Sequence, residues 1–155
     1  MATWNVRSLN RKEKELIDEF DKAQLDFLAI TETKRKGQGM DELDKEHVFL
    51  YIGVSTDSRA AEGVGCLMKA SYMSFVKNLK FILQNKLKIE ITLDNSEITT
   101  ILVTYGPNDD EPLKVKEEYW EELNDAIENV KGRMVILPFY LFYLSSQVFR
   151  TCNLM

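Results

Sequence analysis

The chain has 155 residues, of which 45% are hydrophobic and 29% are charged, and its formal net charge is −5. This length and composition are typical of one soluble globular domain with a substantial core. The acidic balance argues against a protein that coats nucleic acid through bulk positive charge, although it is compatible with a local basic rim and with a metal site built from carboxylates.

The cysteines and the apolar stretches predict the cellular compartment. Cys66 and Cys152 are far apart and fit no metal or redox spacing, so we expect two free thiols in a reducing compartment. The N-terminus lacks the apolar stretch of a signal peptide. The longest apolar run, residues 134–144, is too short to span a bilayer as a helix and contains Pro138. We therefore predict an intracellular protein, in the nucleus or the cytoplasm, without a membrane-spanning segment.

The first part of the chain predicts a strand, a helix and a second strand. Residues 2–6 predict a short strand, and residues 26–31 predict a strand that is buried on both faces. Residues 11–23 predict a helix between them. Leu16, Ile17 and Phe20 form its apolar face. Leu9 precedes the helix and is expected to pack on its first turn. This order of elements predicts a sheet that is covered on one side by the helix.

The middle of the chain predicts a polar loop followed by short strands. Residues 34–46 are polar and contain two glycines, which predicts a loop with one helical turn at most. The elements expected after it are strands at residues 47–54, 63–69 and 79–83, with a polar loop at residues 55–62. Gly63 and Gly65 flank Val64, and this spacing predicts the close approach of another backbone segment.

The last part of the chain predicts a hairpin, a long helix and a final strand. Apolar and polar residues alternate over residues 86–93, and residues 94–96 are turn formers, so residues 97–104 are expected to return as the second hairpin strand. A loop at residues 105–110 precedes an amphipathic helix at residues 113–131, which Gly132 ends. The final strand is expected at residues 133–137.

Polar side chains lie where three of these predicted strands end. Asn5 follows the apolar part of the first strand, Glu32 follows the second, and Tyr105 and Asn108 follow the returning hairpin strand. Loops gather at such sheet edges and form functional sites there. Oxygen atoms of glutamate and asparagine side chains suit Mg²⁺, which takes one or two carboxylates and keeps several waters.

Each of these residues also has an ordinary structural interpretation. Glu32, considered alone, is more typical of a solvated charge at a strand end. Asn5 suits a helix or turn cap, and the segment from Tyr105 to Asn108 suits a turn. The basic run at residues 34–36 is typical of a solvated loop. Taken singly, none of them assigns a function.

Taken in order, the motifs resemble those of one known superfamily. "TWNVRSLN", "FLAITETKRKG", "GVGCLM", "TYGPND", "KEEYWEELNDAI" and "GRMVIL" follow one another at plausible spacing. Over residues 2–137 they resemble the endonuclease/exonuclease/phosphatase superfamily. More narrowly, the sequence is similar to the apurinic-type endonuclease domains of non-LTR retrotransposons and to craniofacial development protein 2-like sequences.

The resemblance implies a fold and a set of site residues. The implied fold is α+β, a partial two-sheet β-sandwich flanked by helices that forms part of a truncated four-layer α/β/β/α sandwich. Glu32 would ligate Mg²⁺, and Asn5 would support the metal site. Tyr105 would lie near the scissile phosphate, and Asn108 matches the asparagine of the same motif.

The implied reaction is hydrolysis of a DNA phosphodiester. Mg²⁺ would act as a Lewis acid, and a water positioned by an aspartate and polarised by a histidine–aspartate pair would attack in line. Basic side chains near the first two strands would contact the nucleic-acid backbone. These are Arg7, Arg11, Lys34, Arg35 and Lys36.

The sequence departs from the family pattern after "VIL". Where the family has Gly-Asp-Phe-Asn, this chain has Pro138-Phe139-Tyr140-Leu141, and the family's late Ser-Asp-His motif is absent. The one histidine, His47, matches no catalytic position. We therefore expect residues 1–137 to be the N-terminal part of such a domain and residues 138–155 to be a divergent hydrophobic tail. The predicted protein is a truncated, catalytically incompetent relative of a Mg²⁺-dependent endonuclease.

Two alternative functions remain open at this point. The chain is an active phosphodiesterase or endonuclease if a partner chain completes its sheet, or it is a non-catalytic module that binds nucleic acid or protein. Phosphoinositide phosphatase activity belongs to the same superfamily, but the "TWNVRSL" and "TETK" motifs favour the nuclease branch.

Overall fold

The computed structural model describes residues 1–59, 62–93, 97–128 and 130–139, with Phe139 described by its backbone alone. The predicted turn at residues 94–96, Cys152 and the predicted tail from residue 140 onward lie outside the described residues. In chain order the elements are β1 (Ala2–Asn5), α1 (Glu13–Lys22), β2 (Phe27–Thr31), β3 (Gln38–Glu42), β4 (His47–Ile52), β5 (Val64–Lys69), a 3₁₀ helix (Ala70–Phe75), β6 (Val76–Ile82), β7 (Lys86–Thr92), β8 (Ile98–Tyr105), α2 (Leu113–Glu128) and β9 (Arg133–Phe139).

The strands form two sheets. The first has the order β1-β2-β5-β4-β3, in which β1 and β2 are parallel and the other neighbours are antiparallel. The second has the order β6-β7-β8-β9, in which only β8 and β9 are parallel. Every residue of β2 is buried, as expected for a strand that is covered on both faces.

α1 covers the outer face of the first sheet because its apolar side chains recur at helical spacing. Leu16 and Phe20 are buried and pack in one cluster with Leu28 and Ile30 of β2. Leu9 precedes the helix and is buried in the same cluster. Burying each of these side chains contributes roughly 1.5–3 kcal/mol to stability.

α2 covers the outer face of the second sheet. Tyr119 and Leu123 are buried against Leu102 of β8, and Trp120 lies half-buried beside them. The Tyr119 hydroxyl lies 2.8 Å from the Thr104 hydroxyl, so the helix is hydrogen-bonded to the strand beneath it. The layers are helix, sheet, sheet and helix, which confirms the predicted α+β sandwich. None of the helices in the described residues is long and apolar enough to cross a membrane.

The space between the sheets is filled by the inner faces of both. In β7 the alternation predicted from the sequence places Leu87, Ile89 and Ile91 in this core, all fully buried. Cys66 of β5 lies in the same core as a free thiol, as predicted, and burial raises its pKa to about 12. The thiol is therefore protonated and acts as a small apolar side chain.

The prediction of a loop over residues 34–46 is wrong, because this segment contains the edge strand β3. β3 pairs antiparallel with β4 and alternates exposed with half-buried side chains. An edge strand without a buried face needs few apolar residues, so hydrophobic periodicity does not reveal it. Two predicted strands are also longer than expected, since β6 begins at Val76 and β9 continues to Phe139.

Gly63 confirms the predicted close approach of two backbone segments. Its φ of +86° lies in the left-handed region, and a Cβ atom there would lie 2.7 Å from the Thr33 hydroxyl oxygen. The Gly63 carbonyl accepts a hydrogen bond from the Thr33 backbone N–H at 3.2 Å. The glycine therefore lets the loop after β2 lie directly against the start of β5.

His47 links α1 to the turn between β3 and β4. Its ring is 3% exposed, with Nε2 2.9 Å from Asp21 Oδ1 and Nδ1 2.9 Å from Asp44 Oδ1. Burial lowers the pKa of His47, but the hydrogen bonds to Asp21 and Asp44 outweigh it, and the pKa is raised above the usual 6.5. The His47 ring therefore links two carboxylates from separate elements, and its protonated form binds them more strongly.

This arrangement predicts that the protein loses stability as the pH rises through the raised pKa of His47. Because the folded pKa of His47 is raised, the stabilisation is complete below about pH 6.5 and is lost as the pH rises through the folded value. Thermal unfolding from about pH 5.5 to pH 8.5 should show a falling Tm for the wild type and a flatter profile for His47→Gln. Parallel profiles would contradict the assignment, and Glu19→Gln, an exposed change on α1, is the matched control.

Candidate functional site

The ends of β1, β2 and β8 bring three polar side chains to one edge of the sandwich. Asn5 is the last residue of β1 and is in register with Thr31, the last residue of β2. Glu32 follows directly, and Tyr105 ends β8 in the other sheet. Because the sheets pack face to face, residues that are far apart in the sequence meet at this edge.

One carboxylate oxygen is the centre of this cluster. Glu32 Oε1 accepts hydrogen bonds from the Asn5 side-chain N–H at 2.7 Å and from the Tyr105 hydroxyl at 3.1 Å. The Tyr105 hydroxyl is also 3.5 Å from Asn108 Oδ1. Asn5 is itself oriented, because its Oδ1 accepts the Arg7 backbone N–H at 3.0 Å. The structure therefore brings together the four residues that the resemblance placed in the site.

The backbone around this cluster adopts a conformation that is rare for residues with a side chain. Glu32 has a φ of 54°, Arg7 of 53° and Lys34 of 55°, all in the left-handed region. Such residues cost of order 1–3 kcal/mol each and concentrate at functional sites. The strain at these two strand ends supports a functional interpretation of the Glu32 cluster.

Tyr105 is a proton donor in this cluster and not a phenolate. Burial raises the pKa of its hydroxyl well above the usual 10, and the negative charge of Glu32, the hydrogen bond to Glu32 and the charge of Glu62 raise it further. A phenol that stays protonated donates a hydrogen bond to a carboxylate or to a phosphate oxygen.

Two acidic residues near the site escaped the sequence analysis. Burial raises the pKa of Glu62, and the charges of Glu111 and Glu32 raise it further, so three carboxylates from separate loops lie near one another. A loop glutamate has no periodic signal, and only the fold reveals its neighbours. Tyr105 and Asn108 line a cleft of about 310 Å³ whose charged lining residues are Glu62, Glu111, Glu118 and Glu122.

β9, which pairs with β8, brings no carboxylate to this edge of the sandwich. β9 runs parallel to β8, with Pro138 opposite Thr104 and Phe139 opposite Tyr105. His47 is distant from the site, because it begins β4 and pairs with Lys69 at the far end of β5. The described residues therefore place neither a histidine nor an aspartate among the groups that contact Glu32.

The fold is similar to those of several solved structures. AP endonuclease LMAP from Leishmania major superposes with a TM-score of 0.66 at 17% identity, covering 88% of this chain and 53% of the other. The catalytic domain of APE2 from Xenopus laevis gives 0.66 at 15% identity, covering 88% of this chain and 56% of the other. The chain therefore shares the fold of these AP endonucleases, as the resemblance implied.

A further solved structure with a similar fold is the 3′-5′ exonuclease NExo from Neisseria meningitidis. It gives a TM-score of 0.62 at 18% identity, covering 89% of this chain and 56% of the other. A related structure of the 3′ phosphatase NExo holds a product DNA hairpin. This chain thus spans about half the length of these solved structures. No protein-family model and no curated protein sequence matches it.

The basic residues named in the sequence analysis do not form one patch on this fold. Arg7 and Lys34 are exposed on the loops that flank Glu32. Arg35 instead forms ion pairs with Glu13 at 3.0 Å and with Asp41 at 3.6 Å. The remaining two also lie elsewhere: Lys36 donates to the Thr56 carbonyl, and Arg11 lines a groove beside α1 and β3.

The donor set at this edge of the fold suits a hard cation that keeps most of its water. In the part of the chain that the structure describes, no group of three or more His, Cys, Asp or Glu side chains is arranged to hold a metal ion. Both hydrogen bonds to Glu32 fall on Oε1, so Oε2 faces neither donor. Mg²⁺ binds through one or two carboxylates and several waters, and it therefore fits Glu32 as a weak site.

Proposed function

We propose that this chain forms the metal-binding half of a nuclease-type site, which binds Mg²⁺ through Glu32 and the phosphate backbone of DNA beside it. The observation that supports this most strongly is the convergence of Asn5 and Tyr105 on one oxygen of Glu32, at an edge built by both sheets. The fold shared with AP endonucleases and with a DNA-bound 3′ phosphatase supports the same assignment.

Each residue of the cluster has a defined role in this proposal. Glu32 is the metal ligand, and Asn5 and Tyr105 hold its carboxylate in one orientation, as neighbouring donors do for metal-ligating carboxylates. Bound Mg²⁺ would supply Lewis-acid stabilisation of charge on a phosphate oxygen. Asn108 and the protonated Tyr105 hydroxyl contact the phosphodiester. Arg7 and Lys34, exposed on the flanking loops, approach the DNA backbone.

Hydrolysis is not part of the function proposed for this chain alone. β9 ends with Phe139 at the position where the resemblance expects an aspartate, and His47 lies at the far end of the sheet. Without general acid–base groups, phosphodiester cleavage should be slower by many orders of magnitude. We therefore propose a catalytically incompetent relative of a retrotransposon-type endonuclease that acts in the nucleus or cytoplasm. Its family-like part spans residues 1–137, and Pro138 and Phe139 extend β9, the last strand of that part.

A second candidate function is an endonuclease that is active when another chain completes it. β1 and β9 lie in contact at the same side of the sandwich. Among the described residues, each pairs with one neighbouring strand. Further strands from a partner would extend both sheets at this side and would bring additional side chains to the Glu32 edge.

The proposal predicts weak, Glu32-dependent binding of Mg²⁺. Amide signals near residues 32 and 105 should shift on titration with a dissociation constant in the millimolar range, because one protein carboxylate supplies the binding energy. Glu32→Gln keeps the size of the side chain and should remove these shifts. Asp125→Asn, which changes an exposed carboxylate near the C-terminal end of α2, is the control. In the same samples, supercoiled plasmid should stay uncut, and Glu32-dependent nicking would overturn the incompetent assignment in favour of the second candidate.

A further inference from the structure

A small cavity lies between the end of β1 and α1, next to the Glu32 cluster. Its volume is about 210 Å³, and it is lined by Trp4, Asn5, Val6, Arg7, Leu9, Lys12, Glu15 and Leu16. Trp4 is in register with Ile30, so it lies on the α1 side of the first sheet, whereas Asn5 contacts Glu32. The cavity therefore shares Asn5 with the proposed metal site.

The wall of this cavity offers an exposed aromatic face. Trp4 is 37% exposed, although it is a large apolar side chain, while Leu9 and Leu16 behind it are buried. An accessible indole at a nucleic-acid site stacks on nucleobases, and each stacked base contributes about 1–3 kcal/mol irrespective of its identity. The volume is too small for a drug-sized ligand but is suited to one planar ring.

The mouth of the cavity carries positive charge that is held in place. Lys12 Nζ donates a hydrogen bond to the Val6 carbonyl at 3.1 Å, which fixes the ammonium and leaves two of its three donors for another acceptor. Arg7 is exposed at the same rim, on a backbone fixed in the left-handed region. An ammonium and a guanidinium are the side chains that bind phosphate.

Charge also distinguishes this cavity from the larger cleft beside Tyr105. The lining of the Trp4 cavity has two cations and one carboxylate, Glu15. The lining of the larger cleft includes four carboxylates and no lysine or arginine. An anionic polymer that is bound at the Glu32 edge is therefore expected to continue along the Trp4 side and not into the acidic part of the larger cleft.

We propose that the Trp4 cavity binds one unpaired nucleobase of single-stranded DNA, stacked on the indole, with the adjoining phosphate held by Arg7 and Lys12. This inference rests on the proposed function, because the cavity and the metal site share Asn5. The preferred ligand is single-stranded, since in a duplex the faces of each base are already stacked within the helix.

Tryptophan fluorescence tests this subsite directly. The sequence has two tryptophans, so the Trp120→Phe variant leaves Trp4 as the sole indole. Titration with oligothymidylate at low ionic strength and without Mg²⁺ should quench the emission to saturation. Arg7→Ala should weaken binding about tenfold, as should Trp4→Leu when followed by anisotropy of a labelled oligonucleotide, whereas Trp4→Phe should keep most of the affinity.

Two controls, and the dependence of the emission on protein concentration, separate this subsite from the metal site and from other occupants of the cavity. An oligomer with an abasic backbone should bind more weakly and leave the emission unchanged. Glu32→Gln should lose its response to Mg²⁺ but keep the quenching, so failure of the metal site and failure of the subsite are distinguishable. Equal quenching by the abasic oligomer, no quenching at all, or an emission shift that depends only on protein concentration would overturn the proposal; the last result would show that a second copy covers Trp4.

Discussion

Replacing Glu122 by alanine should lower the free energy of unfolding by about 3 kcal/mol, because it leaves a buried ammonium without its counter-charge. Lys86 is fully buried at the start of β7, and its Nζ donates to Glu122 Oε2 at 2.6 Å and to Asn85 Oδ1 at 3.1 Å. The ammonium also lies 4.5 Å from the centroid of the Tyr119 ring. Glu122 is 38% exposed and can hydrate, whereas Lys86 cannot, so the ammonium bears the larger penalty.

The pH dependence of this variant identifies the buried charge as the cause. Burial lowers the pKa of Lys86, and in the wild type the hydrogen bond to Glu122 partly opposes this. Without Glu122 the folded pKa falls further below that of the unfolded chain, so stability should recover as the pH rises and the lysine loses its proton. Denaturant unfolding at about pH 7 and pH 9.5 measures this recovery.

Two further variants serve as controls for the Lys86 pair. Glu121→Ala changes an exposed neighbour on α2 and should stay within about 0.5 kcal/mol of the wild type. Lys86→Met combined with Glu122→Leu removes both charges and should be nearly as stable as the wild type, since apolar replacements of a buried pair are often neutral. A Glu122→Ala protein as stable as Glu121→Ala would show that the pair contributes little.

The second large effect is expected for Gly65→Ala, which should cost about 3 kcal/mol. Gly65 lies in β5 between Ile30 and Tyr51 of the neighbouring strands. A Cβ atom there would lie 2.4 Å from the Phe49 ring and 2.8 Å from the Leu50 carbonyl oxygen. A packed ring and a strand backbone can move aside only at a substantial cost in free energy. Overpacking of this kind costs about 1–3 kcal/mol and occasionally more.

Gly39→Ala is the matched control for this second prediction. Gly39 lies in the edge strand β3, and a Cβ atom there would lie 2.9 Å from the Tyr51 hydroxyl, the far end of a half-buried side chain. The tyrosine can move, so the expected cost is below about 1 kcal/mol. Chemical denaturation of both variants measures the loss in the free energy of unfolding. An equal loss at the two sites would contradict the packing argument.

The fold was predictable wherever burial imposed a pattern on the sequence. β7 has alternating apolar residues because one face is in the core, and β2 is apolar from Phe27 to Ile30 because both faces are covered. β3 has neither pattern, since it lies at a sheet edge and its partner β4 supplies the hydrogen bonds. The 3₁₀ helix at Ala70–Phe75 has no fully buried residue and likewise left no periodic signal.

The candidate site was predictable only in part for a related reason. Strand ends located Asn5, Glu32 and Tyr105, because a polar residue after an apolar run marks the edge of a sheet. Glu62 lies in a loop, where sequence position does not define three-dimensional neighbours. Arg35 belonged to an apparent basic cluster, but its ion pairs depend on where α1 and β3 pack, which only the folded chain specifies.

The measurement that tests the central claim most directly is the Mg²⁺ titration of the wild type beside Glu32→Gln. Asn5 and Tyr105 both donate hydrogen bonds to Glu32. We therefore predict that Mg²⁺ shifts the amide signals of the loops after β1, β2 and β8 together in the wild type and does not shift them in the variant. An unchanged response in Glu32→Gln, or one confined to amides elsewhere in the chain, would contradict the assignment of this edge as the metal site.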